Sequence, residues 1–282
     1  MKKIALINDL SGFGKCSLTA ALPVISVMGI QACPLPTAIL TAQTAFKDYY
    51  CDDFTDRMDC FTDYWKKMEV AFDGIYSGYL EGAQQIEKVI RFLDVFQTKD
   101  NIYLADPVMG DHGKPYTVHS HKLVSGMKEL VKRADAITPN LTELCMLTDT
   151  DYEKLTACCD DPGYVKKVQE LCQRLLDDSE RLKYVVVTGI IRKIAEKQYI
   201  GNLAVSSDES HYIENVYTGK GFSGTGDLFA SVLSGSLVKG LSIRKAMEKA
   251  TYFLQEAIEE ASAQQIPPEH GIYYEKYLSR LL

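Results

Sequence analysis

The chain lacks several features that would define other classes of protein. It has no run of 18 or more apolar residues, so we expect no membrane-spanning helix. It has no low-complexity tract, internal repeat or linker rich in proline or serine, which favours one domain over residues 1–282. Basic residues are outnumbered, with 31 Lys and Arg against 38 Asp and Glu, and the net charge of −7 argues against a general nucleic-acid surface.

The cysteines also lack a pattern. The chain has eight of them but no C-x-x-C pair. No secretory signal is apparent, because the apolar stretch after Lys2 and Lys3 covers only residues 4–7. We therefore expect reduced thiols in a cytoplasmic protein.

Short apolar runs alternate with longer amphipathic stretches. The runs predict strands at 3–7, 30–35, 74–77, 102–105, 136–138 and 184–188. The stretches predict helices at 17–28, 61–72, 82–96, 121–133, 164–176, 227–239 and 242–263, and residues 192–214 predict a hairpin. This alternation is typical of an α/β fold with a mainly parallel central sheet flanked by helices on both faces.

A glycine-rich run, Gly219-Lys-Gly-Phe-Ser-Gly-Thr-Gly226, directly precedes a predicted helix that begins with Asp227. The free N–H groups and the positive end of a helix dipole bind anions, so this turn predicts a phosphate site. Asp227 makes sense there if it faces a hydroxyl that loses a proton during phosphoryl transfer, which indicates a small-molecule kinase. A purely structural turn is the alternative. The match of residues 219–224 to a dinucleotide fingerprint is weak, because a helix follows where a second strand is required.

Polar residues follow several of the apolar runs. They are Asn8-Asp9, Asp106, Thr138-Pro139-Asn140 and Thr188-Gly189. Ligands of open α/β sheets bind at the carboxyl ends of the strands, so these groups are expected to line one edge. Ordinary turns at strand ends are the alternative interpretation.

Asn140 and Glu143 lie one turn apart if a helix begins after Pro139. Two interpretations stay open. Glu143 could hold Mg²⁺, which prefers carboxylate, water and phosphate oxygens. The pair could instead form a capping box at the helix start.

Two other motifs carry less information. Ser11-Gly-Phe-Gly-Lys-Cys-Ser17 resembles a phosphate-binding P-loop, but it lacks the first glycine, and Cys16 replaces the Ser or Thr after the lysine. We interpret this turn as one that approaches the substrate closely, with Cys16 in contact. His119 and His121 are interpreted as a solvated helix start rather than a metal site.

The whole chain resembles the pyridoxal kinase group of the ribokinase-like kinases. The matching pieces are Ser77-Gly-Tyr79, Asp106-Pro-Val-Met-Gly-Asp111, Thr138-Pro-Asn-Leu-Thr-Glu143 and Gly224-Thr-Gly-Asp-Leu-Phe-Ala230. The resemblance implies a ribokinase-like single domain. It also implies ATP-dependent phosphorylation of the 5′-hydroxymethyl group of pyridoxal, pyridoxine or pyridoxamine.

The resemblance further implies residue roles. Asp227 would be the catalytic base, and the amides of Gly224, Thr225 and Gly226 would bind the transferred phosphoryl group. Mg²⁺ would be held by Asp111 and Glu143, and a monovalent cation, K⁺ or Na⁺, by Asp106, Thr138 and Thr188. ATP would contact Asn140, Thr188 and Gly189. The pyridine substrate would contact Asp9, Thr44 and Tyr79. A homodimer is expected on the same ground.

The N-terminal segment departs from the pyridoxal kinase pattern. Asn8-Asp9-Leu10 stands where that group carries Gln-Ser-His, whereas Asp9-Leu-Ser-Gly12 and Leu40-Thr-Ala-Gln-Thr44 are similar to the hydroxymethylpyrimidine kinases. A hydroxymethylpyrimidine kinase is therefore the main alternative. A non-catalytic protein that binds the vitamin or the nucleotide is a more remote one, since a binder has little reason to keep Asp227.

Overall fold

A computed structural model describes residues 1–116 and 121–282, apart from the side chain of His121. The strands are β1 (Lys3–Ser11), β2 (Gln31–Leu40), β3 (Cys51–Asp53), β4 (Gly74–Ser77), β5 (Ile102–Ala105), β6 (Gly110–Asp111), β7 (Lys114–Pro115), β8 (Ala136–Ile137), β9 (Tyr184–Ile194), β10 (Lys197–Val205) and β11 (Ser210–Val216). The α-helices are α1 (Ser17–Val27), α2 (Thr55–Lys67), α3 (Ala83–Phe96), α4 (His121–Arg133), α5 (Leu141–Leu147), α6 (Tyr152–Thr156), α7 (Tyr164–Asp177), α8 (Thr225–Val238) and α9 (Ile243–Ala263). Two 3₁₀ segments, Pro268–His270 and Tyr274–Leu281, follow them. His119 lies outside the described residues.

One large sheet organises the molecule. Its strand order is β11-β10-β9-β8-β5-β4-β1-β2-β3 in the described part of the chain. The six central strands from β9 to β2 are parallel to one another. At one edge, β10 is antiparallel to both β9 and β11. At the other edge, β3 is antiparallel to β2. This arrangement confirms the predicted mainly parallel α/β fold.

Helices cover both faces of this sheet. Ala5 and Ile7 of β1 are buried on one face, in a cluster that includes residues of α3, α4, α5 and α7. Ile4 and Leu6 are buried on the other face with residues of α1, α8 and α9. A strand that is buried on both faces has a continuous apolar sequence instead of alternating apolar and polar residues. The apolar run at 4–7 therefore sufficed to predict β1.

Three strands run further than the sequence predicted, and β2 is one of them, since it continues past residue 35 to Leu40. β1 continues through Asn8 and Asp9 to Ser11, because its pairing with β2 resumes after an irregularity between Asn8 and Leu10. β9 continues through Thr188 and Gly189 to Ile194, and Gly189 within it has a left-handed φ of 68°. The predicted hairpin is therefore part of a three-stranded antiparallel extension of the main sheet.

The helix predicted at residues 61–72 lies earlier, as α2. The side chain of Asp53 accepts hydrogen bonds from the amide and the hydroxyl of Thr55, which fixes the start. Glu69 has a left-handed φ of 53°, and the chain leaves the helix just before it. Within the residues the structure describes, no helix combines the length and the apolar character needed to cross a membrane.

Candidate active site

Polar side chains meet at the carboxyl edge of the central strands. Asp106 follows β5, and its Oδ1 accepts a hydrogen bond of 2.9 Å from Oγ1 of Thr138, which follows β8. The amide of Thr188, in β9, donates to the carbonyl of Pro139 at 3.0 Å, and Thr188 forms a parallel bridge with Asn140. The three residues predicted to hold a monovalent cation therefore lie in or directly after three adjacent strands, at one edge of the sheet.

Asp106 is buried, and this gives it unusual electrostatics. Burial raises its pKa well above the usual range, and the neighbouring carboxylate of Asp227 raises it further, against the hydrogen bond from Thr138. Two carboxylates held near each other favour either a shared proton or a bound cation. This edge therefore fits a positively charged ligand.

The start of α8 is shaped by Gly224. This residue has a φ of 80°, and a Cβ atom there would lie 1.8 Å from the carbonyl oxygen of Lys15. The first intrahelical bond runs from the amide of Leu228 to the carbonyl of Gly224, at 3.0 Å. The amides of residues 225–227 thus have no intrahelical acceptor, and a Cβ built on Gly226 meets no described atom within 4 Å beyond its chain neighbours and the backbone of its own helix. The geometry is that of an anion site.

Asp227 lies in the first turn of α8, directly beside those amides. Its Oδ1 accepts a hydrogen bond of 3.2 Å from Nδ2 of Asn8, and its carboxylate also accepts one from the backbone amide of Ser17. Burial raises the pKa of Asp227 to about 6, helped by Asp9 and opposed by the two hydrogen bonds. A carboxylate with this pKa is mostly ionised at neutral pH and can accept a proton.

Ser17 has a left-handed φ of 51°, which is uncommon outside glycine. This conformation occurs at the first residue of α1, where the amide reaches Asp227 and the side chain hydrogen-bonds to Asp9. Strained backbone of this kind is frequent at functional sites. Nothing in the sequence pointed to Ser17.

Asn140 and Glu143 form the capping box that the sequence left open. The Glu143 amide donates to Oδ1 of Asn140 at 3.0 Å, and the Asn140 amide donates to Oε2 of Glu143 at 2.8 Å. The other oxygen, Oε1, accepts from the amide of Met109 at 3.0 Å. Burial, and then Asp106, raise the pKa of Glu143. Glu143 therefore acts as a capping residue. A metal bound to its carboxylate would share Oε1 and Oε2 with the backbone amides of Met109 and Asn140.

A β-hairpin made of β6 and β7 lies against this edge. Asp111 on it is exposed, and its Oδ1 accepts from the amide of His112 at 2.8 Å. No group of three His, Cys, Asp or Glu side chains in the described residues is arranged to hold a metal alone. Asp111 and Glu143 nevertheless offer the hard oxygens that suit Mg²⁺, which usually keeps water and substrate phosphates among its ligands.

Tyr116, just after β7, was missed at the sequence level. Loss of solvation and the carboxylates of Asp111, Glu143, Asp106 and Asp227 all raise its pKa. The phenol is thus influenced by the charge of this acidic cluster, although Tyr116 is 44% exposed. Among 17 tyrosines in the chain, no local pattern marked this one.

The predicted substrate residues are placed in different surroundings. The buried carboxylate of Asp9 accepts a hydrogen bond of 2.9 Å from Oγ of Ser11 as well as one from Ser17, and burial raises its pKa. Burial also raises the pKa of Tyr79 to about 12, with Asp9 among the groups that contribute. Asp9 lies near the start of α1, where Cys16 is buried.

Cys16 and Thr44 differ in exposure. Burial, Asp227 and Asp9 together raise the pKa of the Cys16 thiol to about 12, so the thiol stays protonated. Thr44 is exposed and, in the described part of the chain, makes no hydrogen bond to the groups above. Its neighbour Gln43 is buried instead and donates to the carbonyl of Glu269 at 2.7 Å.

Comparison with known proteins places this geometry in context. Residues 16–273 match the family model described as phosphomethylpyrimidine kinase. The pyridoxine/pyridoxal/pyridoxamine kinase of Bordetella avium is 24% identical over 87% of this chain and 81% of its own length. The hydroxymethylpyrimidine/phosphomethylpyrimidine kinase of Bacillus subtilis is 30% identical over 66% of this chain and 64% of its own.

A protein of Bacteroides thetaiotaomicron, proposed to be a phosphomethylpyrimidine kinase, has a similar crystal structure. It is 36% identical, with a TM-score of 0.91 over 99% of this chain and 93% of that one. A second crystal form of it, with pyridoxal, has a TM-score of 0.88 over 99% of this chain and 95% of that one.

Proposed function

The chain belongs to the phosphomethylpyrimidine kinase family, and we propose that it transfers the terminal phosphoryl group of ATP to the 5′-hydroxymethyl group of pyridoxal, pyridoxine or pyridoxamine. One observation carries this proposal. Asp227, with a pKa of about 6, lies beside the open amides of the first turn of α8. A base next to an anion site is what phosphoryl transfer to an alcohol requires.

The kinase class itself does not depend on this choice of substrate. The family match and the relatives confirm the predicted resemblance to the ribokinase-like vitamin kinases, and the protein is an ATP-dependent kinase. The pyridoxal seen with the Bacteroides protein, together with the Bordetella relative, supports a vitamin B6 substrate.

The roles of the residues follow from the chemistry. The 5′-hydroxyl oxygen forms a bond to the terminal phosphorus of ATP, the bond from that phosphorus to the bridging oxygen of ADP breaks, and the hydroxyl proton passes to Asp227. The amides of Gly224, Thr225 and Gly226 would stabilise the phosphoryl oxygens. Asn140, Thr188 and Gly189 would contact ATP. Asp9, Cys16, Thr44 and Tyr79 would contact the vitamer.

Cations complete this proposal. Asp111 and Glu143 would hold Mg²⁺, whose charge would offset that of the phosphates, and Asp106, Thr138 and Thr188 would hold K⁺ or Na⁺. The raised pKa values of Asp106 and Glu143 support this, since a nearby cation would stabilise their ionised forms. We further propose one kinase domain over residues 1–282, a homodimer and a cytoplasmic location.

A coupled ADP-release assay tests the function. The purified protein is supplied with ATP, Mg²⁺ and, separately, pyridoxal, pyridoxine, pyridoxamine or hydroxymethylpyrimidine, and the phosphorylated product is identified by mass spectrometry. We expect turnover with at least one B6 vitamer at a higher kcat/KM than with hydroxymethylpyrimidine. Absence of turnover with all three vitamers would contradict the proposal.

Phosphorylation of hydroxymethylpyrimidine is the second candidate. The Bacillus relative and the description of the family favour it. So does Asp9, because a carboxylate accepts hydrogen bonds from the exocyclic amine of an aminopyrimidine. A higher kcat/KM for hydroxymethylpyrimidine in the same assay would select this candidate.

A further inference from the structure

Asn8 connects the proposed catalytic base to the substrate side of the site. It is only 1% exposed, in β1, and its Oδ1 accepts hydrogen bonds from the amide of Asp9 at 3.0 Å and from the amide of Tyr79 at 2.9 Å. Its Nδ2 donates to Oδ1 of Asp227 at 3.2 Å. Because two backbone donors occupy the oxygen, the amide has one orientation, and only its NH₂ group can face Asp227.

The chain is built to leave room for this side chain. A Cβ atom on Gly78 would lie 2.3 Å from Nδ2 of Asn8 and 2.9 Å from its Oδ1. Any other residue at position 78 would displace the amide from Asp227. The glycine of the Ser77-Gly78-Tyr79 motif is thus explained by Asn8 rather than by a turn.

We propose that Asn8 is a positioning residue that holds the carboxylate of Asp227 in the orientation needed to take the proton of the substrate hydroxyl. The inference rests on the proposed function, because Asp227 acts as the base there. Asn8 touches neither the reacting atoms nor the predicted metal ligands through any described hydrogen bond. It acts through Asp227, and it ties that orientation to Asp9 and Tyr79.

The surroundings of Asp227 explain why a neutral donor is needed. Its neighbours are acidic or neutral: Asp9 on β1, Tyr76 on β4, Asp106 after β5, Tyr116 after β7 and Cys16 before α1. Each carboxylate among them repels an ionised Asp227. The NH₂ group of Asn8 and the amide of Ser17 donate hydrogen bonds to it instead.

Asn8→Asp is the decisive variant, since it keeps the size and the oxygen that accepts from Asp9 and Tyr79 but places an oxygen opposite Asp227. We expect kcat at neutral pH to fall by about 10- to 100-fold, as for small misplacements of a catalytic group. The KM for ATP should change by less than about threefold, and the acidic limb of the kcat profile should move to higher pH. Asn8→Ala, which removes the donor without adding charge, should lower kcat with a smaller shift of the limb.

Asn101→Asp is the matched control. Asn101 is also buried, donates to the carbonyl of Phe96 at 2.7 Å, and lies at the opposite end of the strands, just before β5. It should lose thermal stability while kcat and the acidic limb stay unchanged. The proposal is overturned if Asn8→Asp and Asn8→Ala keep kcat within twofold of wild type. It is also overturned if Asn101→Asp lowers kcat as much as the two Asn8 variants do.

A measurement without substrate separates this proposal from the proposed function. Carboxyl ¹³C NMR of the ligand-free protein reports the titration of Asp227, which should shift to higher pH in both Asn8 variants and not in Asn101→Asp. If the titration shifts but the protein phosphorylates no vitamer, the proposed function is contradicted, while the effect of Asn8 on Asp227 is supported. An unshifted titration in a wild type that is an active vitamer kinase would contradict the role of Asn8 alone.

Discussion

At the scale of single residues, Asp227 decides whether the site is catalytic. We expect Asp227→Asn to fold normally, because Asn has nearly the same size and keeps one oxygen to accept from Asn8 or Ser17. Loss of the base should lower kcat by about 10²- to 10⁴-fold. Steady-state kinetics beside a circular-dichroism melt checks this, with the exposed Asp178→Asn as control. A folded variant that keeps more than about a tenth of wild-type kcat would exclude Asp227 as the base.

Glu143 has two roles to separate. Glu143→Gln keeps one acceptor oxygen but turns an NH₂ group toward the amide of Asn140 or of Met109. We expect a loss of about 1–3 kcal/mol in the free energy of unfolding. We also expect a higher Mg²⁺ midpoint in the kinase assay, with a smaller change in vitamer KM. A lower stability with an unchanged Mg²⁺ midpoint would leave Glu143 as a capping residue only.

Asp9 is the residue on which substrate choice is expected to depend. A carboxylate accepts hydrogen bonds from an amine or a protonated ring nitrogen but repels a phenolate, so Asp9→Ser should favour pyridoxal over pyridoxamine. Loss of one charge-assisted hydrogen bond corresponds to about 1.5–3 kcal/mol, so the ratio of kcat/KM values should move by about tenfold or more. Ser11→Ala, which removes the hydroxyl that donates to Asp9 within β1, is the control. An unchanged ratio in an active Asp9→Ser protein would leave Asp9 as a structural residue of β1.

The sequence made some of these residues visible and hid others. Asp227 was predictable because a local run of glycines and a helix pattern surround it. Asn8 was visible as a polar residue, but its partner is 219 positions away, and no local spacing encodes that contact. The positive φ of Ser17 was equally hidden, because serine usually avoids that conformation.

At the scale of elements, the start of α8 depends on two glycines for different reasons. Gly224→Ala places a Cβ on the Lys15 carbonyl at a left-handed φ, so we expect a clear loss of stability together with activity. Gly226→Ala meets no described atom and should keep or raise stability by up to about 1 kcal/mol, since alanine favours helices. Its methyl group would still stand where the phosphates bind, so kcat/KM for ATP should fall. Thermal melts and ATP titrations decide this; full activity in Gly226→Ala would place the phosphates elsewhere.

Elements were predicted best where one physical cause dominated. The buried parallel strands followed from continuous apolar runs and most of the helices from their periodicity, whereas α2 begins before its predicted start. The extra lengths of β1 and β9 did not, because pairing with distant strands carries them past polar residues. The capping box could be proposed from spacing, but only the structure shows both reciprocal bonds.

At the scale of the whole molecule, the fold gathers carboxylates that are far apart in the sequence. Burial raises the pKa of Asp9, Asp106, Glu143 and Asp227 above the values of the unfolded chain. The folded protein without ligands therefore holds protons that the unfolded chain has already released. Each such group makes folding less favourable as pH rises from its unfolded pKa, about 4, through its higher folded pKa.

The stability of the ligand-free protein should consequently increase as the pH is lowered from about 7.5 to about 5.5. Below about pH 4 the trend should reverse, because carboxylates with lowered pKa values, such as Asp53 and Asp59, then become protonated and lose their hydrogen-bond and ion-pair partners. Melting temperatures across this range test the prediction.

Asp227→Asn should flatten the upper part of the curve of melting temperature against pH, since it removes the group with a pKa of about 6. Saturating Mg²⁺ with a non-hydrolysable ATP analogue should flatten it further if cations neutralise the cluster. A melting temperature that rises steadily from about pH 5.5 to about pH 7.5 would show that the pKa values of these carboxylates are not raised in the folded protein.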